Sequence, residues 1–138
     1  MKFTIPGEPT GKGRPRIIHN GNFSKAYTPE ETELYENLIK LEFQHAANAE
    51  GFVLTNEPVR VRIDAYYSVP KSTSKKRWRE MLAGWICPTK KPDWDNIGKT
   101  ICDALNGIAY KDDSQVVDGR VLKHFADIPR VEVQIEEV

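Results

Sequence analysis

The 138 residues, 39% hydrophobic and 29% charged, suit one compact domain, read as residues 1–138, and are too few for a second full one. Apolar runs fall well short of the ~20 residues a membrane span needs, and the opening MKFTIPGEPTGK lacks a secretory signal's apolar stretch, so the expectation is a cytoplasmic protein with no membrane partner. A formal charge of zero argues against holding nucleic acid by bulk charge, and Cys87 and Cys102, expected to be reduced and partly buried, are too few for a disulfide framework or a Cys-rich zinc site.

In chain order, Phe3 and Ile5 alternate with Lys2 and Thr4 before Pro6, which predicts a short first strand. Gly7 to Asn22, with its glycines and prolines, reads as an irregular basic loop. Thr10 to Pro29 holds Lys12, Arg14, Arg16 and Lys25 and no acid, a local charge of +4. Thr28 as N-cap, Pro29 at the first helical position and acids behind it predict a helix to about Asn48. Its apolar side is expected to carry Leu34, Tyr35, Leu38, Ile39, Leu41 and Phe43, while six glutamates against Lys40 give Glu30 to Glu50 a charge of −5.

Val59, Val61, Ile63, Ala65 and Tyr67 alternate with Arg60, Arg62, Asp64 and Tyr66, the clearest strand pattern in the chain. Pro70 to Ser74 breaks it, and Ser74 is placed to cap a short basic helix running through Trp78 and Met81 to Gly84. Lys71 to Lys91 has seven basic residues against Glu80, a charge of +6. After the connection Trp85 to Pro92, a helix begins near Asp93 or Trp94, with Ile97, Ile101, Ala104, Leu105 and Ile108 on one stripe and Asn106-Gly107 as its stop. Asp95, Lys99 and Asp103 fall at i, i+4 and i+8 away from that stripe. Strands over Gln115 to Phe125 and Arg130 to Glu136 complete the order β, α, β, short α, α, β, β. The fold class is α/β: a small mixed sheet of about four strands packed with two main helices.

Chemistry concentrates where Asp93, Asp95, Asp103, Asp112 and Asp113 share twenty-one residues. The first two sit where a loop becomes a helix and the last two lie beyond its far end, roughly 20 Å away along a straight fourteen-residue rod. A single site therefore needs a helix that starts late or stops early or a following strand that runs back beside it, which is the expectation, or a second subunit. Carboxylates without a nearby histidine pattern suit Mg²⁺ or Mn²⁺ rather than zinc, and such ions activate water and stabilise both oxygens of a breaking phosphodiester. Lys99 is placed to hold a phosphate.

Each residue also has a structural reading: Asp93 as a helix cap, Lys99 in an ion-pair ladder worth roughly a few tenths of a kcal/mol, Asp103 as a tether for the turn. An EF-hand loop fails because Ile97 occupies a ligand position, and His19, His45 and His124 are too scattered for a zinc site or a serine triad.

Lys91-Pro92-Asp93-x-Asp95-Asn96-Ile97-x-Lys99, then Asp103-Ala104-Leu105-Asn106-Gly107, then Asp112-Asp113-x-Gln115-Val116, resembles the signature of RusA-like Holliday-junction resolvases, small endodeoxyribonucleases common in phages and prophages. Gly11-Lys12-Gly13-Arg14-Pro15-Arg16 and Tyr27-Thr28-Pro29 resemble that family's N-terminal basic loop and helix entry. The resemblance implies a homodimer that binds four-way DNA junctions and makes paired nicks with Mg²⁺ or Mn²⁺, leaving 3′-hydroxyl and 5′-phosphate ends. By position, Asp93, Asp95 and Asp113 would be the metal-binding catalytic acids and Lys99 the catalytic lysine, with Asp112 less clearly placed.

Lys12, Arg14, Arg16, Lys71, Lys75, Lys76 and Arg77 are candidates for phosphate contacts. Trp78 and Trp85 are candidate stacking partners for bases, against the ordinary expectation that both pack under a loop. Two other readings fit the same residues: a nuclease for flaps, forks or other branched DNA, and a non-catalytic junction-binding module.

Overall fold

The computed structural model describes residues 1–13 and 15–138 and, at position 16, the backbone alone. Arg14 and the side chain of Arg16, both candidates for phosphate contacts, thus lie outside the described residues. In chain order the elements are β1 (Lys2–Pro6), β2 (Arg16–Asn20), β3 (Phe23–Tyr27), α1 (Glu30–Glu50), β4 (Val59–Ser68), α2 (Lys75–Leu82), α3 (Trp94–Ala104), β5 (Val116–Ala126) and β6 (Arg130–Glu137).

Four strands stand in the order β1-β6-β4-β5. β6 is antiparallel to both β1 and β4, while β4 and β5 are parallel. A parallel pair cannot be closed by a hairpin. Residues 69–115, with α2 and α3, supply the crossover. Alternation sets the two faces: Val59, Val61, Ile63, Ala65 and Tyr67 of β4, Val131, Val133 and Ile135 of β6, and Phe3 and Ile5 of β1 are buried. Tyr35, Ile39, Phe43 and Ala47 of α1 and Ile97, Ile101 and Ala104 of α3 belong to the same core. The opposite face of the sheet carries Arg60, Arg62, Asp64, Arg120, His124, Glu132 and Gln134. The mixed four-stranded sheet and its helices agree with the sequence reading, and among the described residues no helix is long and apolar enough to cross a membrane.

Five expectations need correction. First, residues 16–27 form an antiparallel hairpin rather than an irregular loop up to Asn22. Its strands are exposed on both sides, so no apolar alternation announces them, but Gly21-Asn22 between two short runs is a hairpin dipeptide, and Gly21 has the positive φ (63°) such a turn requires. Second, α1 begins one residue later than expected: Pro29 holds the N-cap position, its carbonyl accepting from Thr32 and Glu33, and Thr28 is no cap. The helix also runs past Asn48, to a left-handed Gly51. Third, α1 buries a narrower i, i+4 stripe than expected, leaving Leu34 and Leu41 exposed. Fourth, α3 stops at Ala104, two residues before Asn106. Fifth, Cys87, Trp78 and Trp85 are exposed rather than packed, Trp85 by 82%.

Candidate active site

Ile97, Ile101 and Ala104 bury one stripe of α3, and Gly98 lies so near β5 that a Cβ there would stand 3.2 Å from Val121. The Tyr67 hydroxyl of β4 donates to the Pro92 carbonyl (2.7 Å), fixing the entry to the helix. At the other end the Tyr110 hydroxyl donates to the Cys102 carbonyl (2.8 Å), one of the last-turn acceptors that the helix itself cannot satisfy.

Asp93 occupies the N-cap position and its carbonyl accepts from the Ile97 N–H (3.0 Å), yet its side chain makes no capping hydrogen bond. The exposed carboxylate lines a cleft of about 600 Å³ with Gly11, Lys12, Lys91 and Asn96. Burial first, then the nearby carboxylates of Asp93 and Glu8, push the Tyr67 hydroxyl up to about 12. Asp95 and Lys99, also exposed, line a smaller cleft of about 230 Å³ with Trp94, Cys102 and Arg120. Among the described residues neither Asp95 nor Lys99 makes an ion pair, so the ladder Asp95-Lys99-Asp103 does not form.

Asp103 is engaged by the N-terminal loop instead. The Lys12 ammonium stands 3.4 Å from Asp103 and 3.8 Å from Glu36. Asn96 clamps the Lys12 backbone from both sides, accepting from its N–H (3.0 Å) and donating to its carbonyl (3.3 Å). The Gly13 N–H donates to Thr32 Oγ1 (2.9 Å). Gly11 leaves room for this clamp, since a Cβ there would collide with Asn96 Nδ2. Lys12 thus holds the loop against α3 and α1. The quoted motif contained Asn96, but only the loop's contact reveals its clamping role.

The aspartate pair after α3 is split by function. Asp112 caps a short 3-10 turn, accepting from the Ser114 N–H (3.0 Å) while Gln115 Oε1 accepts from the Asp112 N–H (3.0 Å). Gln115 Nε2 ties this turn to the Thr55 and Glu57 carbonyls, both at 3.0 Å. Asp113 has no such duty. Partial burial first, then the Asp103 carboxyl within hydrogen-bonding reach and the charge of Asp112, raise its pKa above the usual carboxylate value. β5 does pack beside α3, as anticipated, but Asp113 precedes that strand and stays at the Asp103 end.

The structure therefore gathers Asp103 with Asp113 at the last turn of α3, and Asp93 and Asp95 around its first turn. Among the described residues no three His, Cys, Asp or Glu side chains stand close enough to share an ion. The donor chemistry nonetheless fits a hard divalent cation, because every carboxylate here is an oxygen donor and no imidazole is near. His124 pairs with Asp64 (2.8 Å) and His19 with Ser24 (2.9 Å), and burial pushes the Cys102 thiol up, away from a thiolate. Of the remaining candidates, Lys71, Lys75, Lys76 and Arg77 are exposed on α2 and the turn before it, with Ser74 accepting from the Arg77 N–H (3.3 Å) as its cap.

A family profile described as Endodeoxyribonuclease RusA matches residues 6–136. The chain is 40% identical over 141 residues to uncharacterized protein YqaN of Bacillus subtilis (strain 168), covering 100% of this chain and 96% of that protein. It is 32% identical over 84 residues to a crossover junction endodeoxyribonuclease rusA of Lactococcus phage r1t, covering 60% of this chain and 57% of that one.

Proposed function

The chain belongs to the endodeoxyribonuclease RusA family, and from that premise we propose that it is a homodimeric, Mg²⁺- or Mn²⁺-dependent nuclease that resolves four-way DNA junctions by paired nicks. The observation that carries the reading is that three charged side chains at and on α3 have no structural occupation: among the described residues the Asp93 side chain makes no capping bond and Asp95 and Lys99 form no ion pair. Asp112 takes the cap and leaves Asp113 unspent.

Asp93 and Asp95 at one end of α3 and Asp113 at the other would hold one or two cations, which when bound supply an activated water and stabilise the oxygens of the breaking bond. Asp95 and Asp103 are eight residues apart, roughly 12 Å by helical rise. Both lie on one face of α3 with Lys99 between them. Lys99, one turn from each, would hold a phosphate oxygen and stabilise charge developing on it. Lys12 would keep the loop seated and offset the negative charge at the Asp103 end. Lys71, Lys75, Lys76 and Arg77 would contact the phosphates of the DNA arms.

The test is a panel of equimolar synthetic substrates, a mobile four-way junction, a flap and a linear duplex, with Mg²⁺, Mn²⁺ or EDTA. Symmetric nicks in the junction that EDTA abolishes are expected. Preferential cutting of the flap would replace the junction with another branched substrate, and junction binding without nicking would reduce the protein to a binding module.

A further inference from the structure

Resting on the endonuclease reading above, we propose that the β2–β3 hairpin is a DNA-entering arm whose tip residue, Phe23, stacks against bases exposed at the branch point of a junction. Every described side chain from Ile17 to Tyr27 is exposed, including Ile17 (61%), Ile18 (53%), Phe23 (64%) and Tyr27 (40%). No hydrogen bond joins these residues to the rest of the chain among the described residues. An isolated two-stranded hairpin is marginal in water, so one that displays large apolar groups is suited to a partner that covers them.

The register says what that partner looks like. Paired residues of an antiparallel ladder share a face, so Tyr27, Ile18 with Lys25, and Phe23 line one side, while Ile17 with Ala26 and His19 with Ser24 line the other. Basic and flat apolar groups alternate toward a tip at Phe23, in a stretch, Thr10 to Pro29, that contains no acid. A polyanion that also offers flat apolar surfaces matches this pattern, and a two-stranded ribbon fits the major groove of DNA.

Position argues the same way. The root of the arm is fixed where Asn96 clamps Lys12 and Thr32 holds Gly13, against the helix that carries Asp95 and Lys99. Five strand residues extend about 17 Å from that root, enough to reach bases beside a phosphate held at α3. Two such arms from neighbouring copies would instead bring like charges together, which opposes pairing hairpin to hairpin.

The experiment uses the full chain carrying Asp95→Asn, with Mg²⁺, titrated onto a four-way junction bearing 2-aminopurine at the branch point. A fluorescence rise on binding is expected, because 2-aminopurine brightens when Phe23 takes the place of its neighbours in the base stack. Adding Phe23→Ala should remove that rise and weaken junction affinity roughly tenfold while linear-duplex affinity holds. Phe23→Trp should restore the junction affinity. A rise that survives Phe23→Ala overturns the proposal, as does a Phe23→Ala chain whose sedimentation shows loss of a dimer, which would make the arm a contact between copies. A wild-type chain that gives the Phe23-dependent rise but never nicks would sink the catalytic reading and leave the arm standing.

Discussion

On the open face of the sheet, Asp118 lies between Arg60 (2.8 Å) and Arg120 (3.3 Å), Asp64 between Arg62 and His124 (both 2.8 Å), and Glu132 beside Arg130 (3.4 Å). Around α3 the same residue types are treated differently: Asp93, Asp95 and Lys99 have no ionic partner among the described residues, and Asp113 meets only other carboxyls, Asp103 and Asp112. Paired charges on a sheet hold strands in register and contribute modestly to stability. Unpaired ones do neither, and two carboxyls in contact repel until a proton or a cation intervenes. The difference separates charge that serves the fold from charge available to a ligand, and it makes the two regions respond to mutation in opposite ways.

The largest expected effect is at the unpaired acids. Asp95→Asn and Asp113→Asn should each slow junction nicking on the order of a thousandfold while thermal stability moves by no more than about 0.5 kcal/mol. Junction affinity by gel shift should persist, because the basic segments are untouched. A large stability loss for Asp95→Asn would mean the fold uses that carboxylate after all. Next, Lys99→Met should slow nicking by roughly a hundredfold, again without unfolding the protein. A response confined to affinity would reassign Lys99 to phosphate binding alone.

Asn96→Ala sharpens the boundary between the regions. Losing both bonds to the Lys12 backbone should destabilise the protein by about 1 to 2 kcal/mol in urea unfolding. Nicking should fall roughly tenfold through the displaced loop. Activity intact after that substitution would show the loop to be independent of the site.

The smallest effect on activity should come from the paired face. Asp64→Asn should leave nicking unchanged and cost about 1 kcal/mol of stability at pH 7. Burial alone would raise the Asp64 pKa, but hydrogen bonds from Arg62 and His124 outweigh it and hold the carboxyl below its ordinary value. Its contribution is thus fully present above the unfolded carboxylate value of ~3.9 and is lost as pH falls through the lower folded value. Calorimetry should show wild type and Asp64→Asn converging in acid, whereas a gap that persists below that range would assign the loss to packing.

Much of this contrast was legible in the chain. The 3.6-residue stripe of Ile97, Ile101 and Ala104 places Asp95 and Lys99 on the outer face of a helix, and period-two alternation in β4 separates Arg62 and Asp64 from the core. Which acids have partners was not legible, because pairing depends on contacts far apart in sequence: Lys12 with Asp103, Arg60 with Asp118, His124 with Asp64. The family resemblance singles out Asp113 over Asp112, but the local pattern gives no physical reason for the choice, since the capping bonds that occupy Asp112 depend on a turn tied down by Thr55 and Glu57. The hairpin escaped for the opposite reason: exposed on both faces, it leaves no burial pattern to read.

The central claim is that the charge left unpaired on α3 acts on DNA while the paired charge of the sheet serves the fold. Its most direct test is the initial rate of Mg²⁺-dependent nicking of a four-way junction by Asp95→Asn and by Asp64→Asn, each beside wild type at equal concentration. The account predicts that Asp95→Asn nicks on the order of a thousandfold more slowly than wild type and that Asp64→Asn cuts at the wild-type rate. Comparable rates for the two variants, or the loss falling on Asp64→Asn, would contradict it.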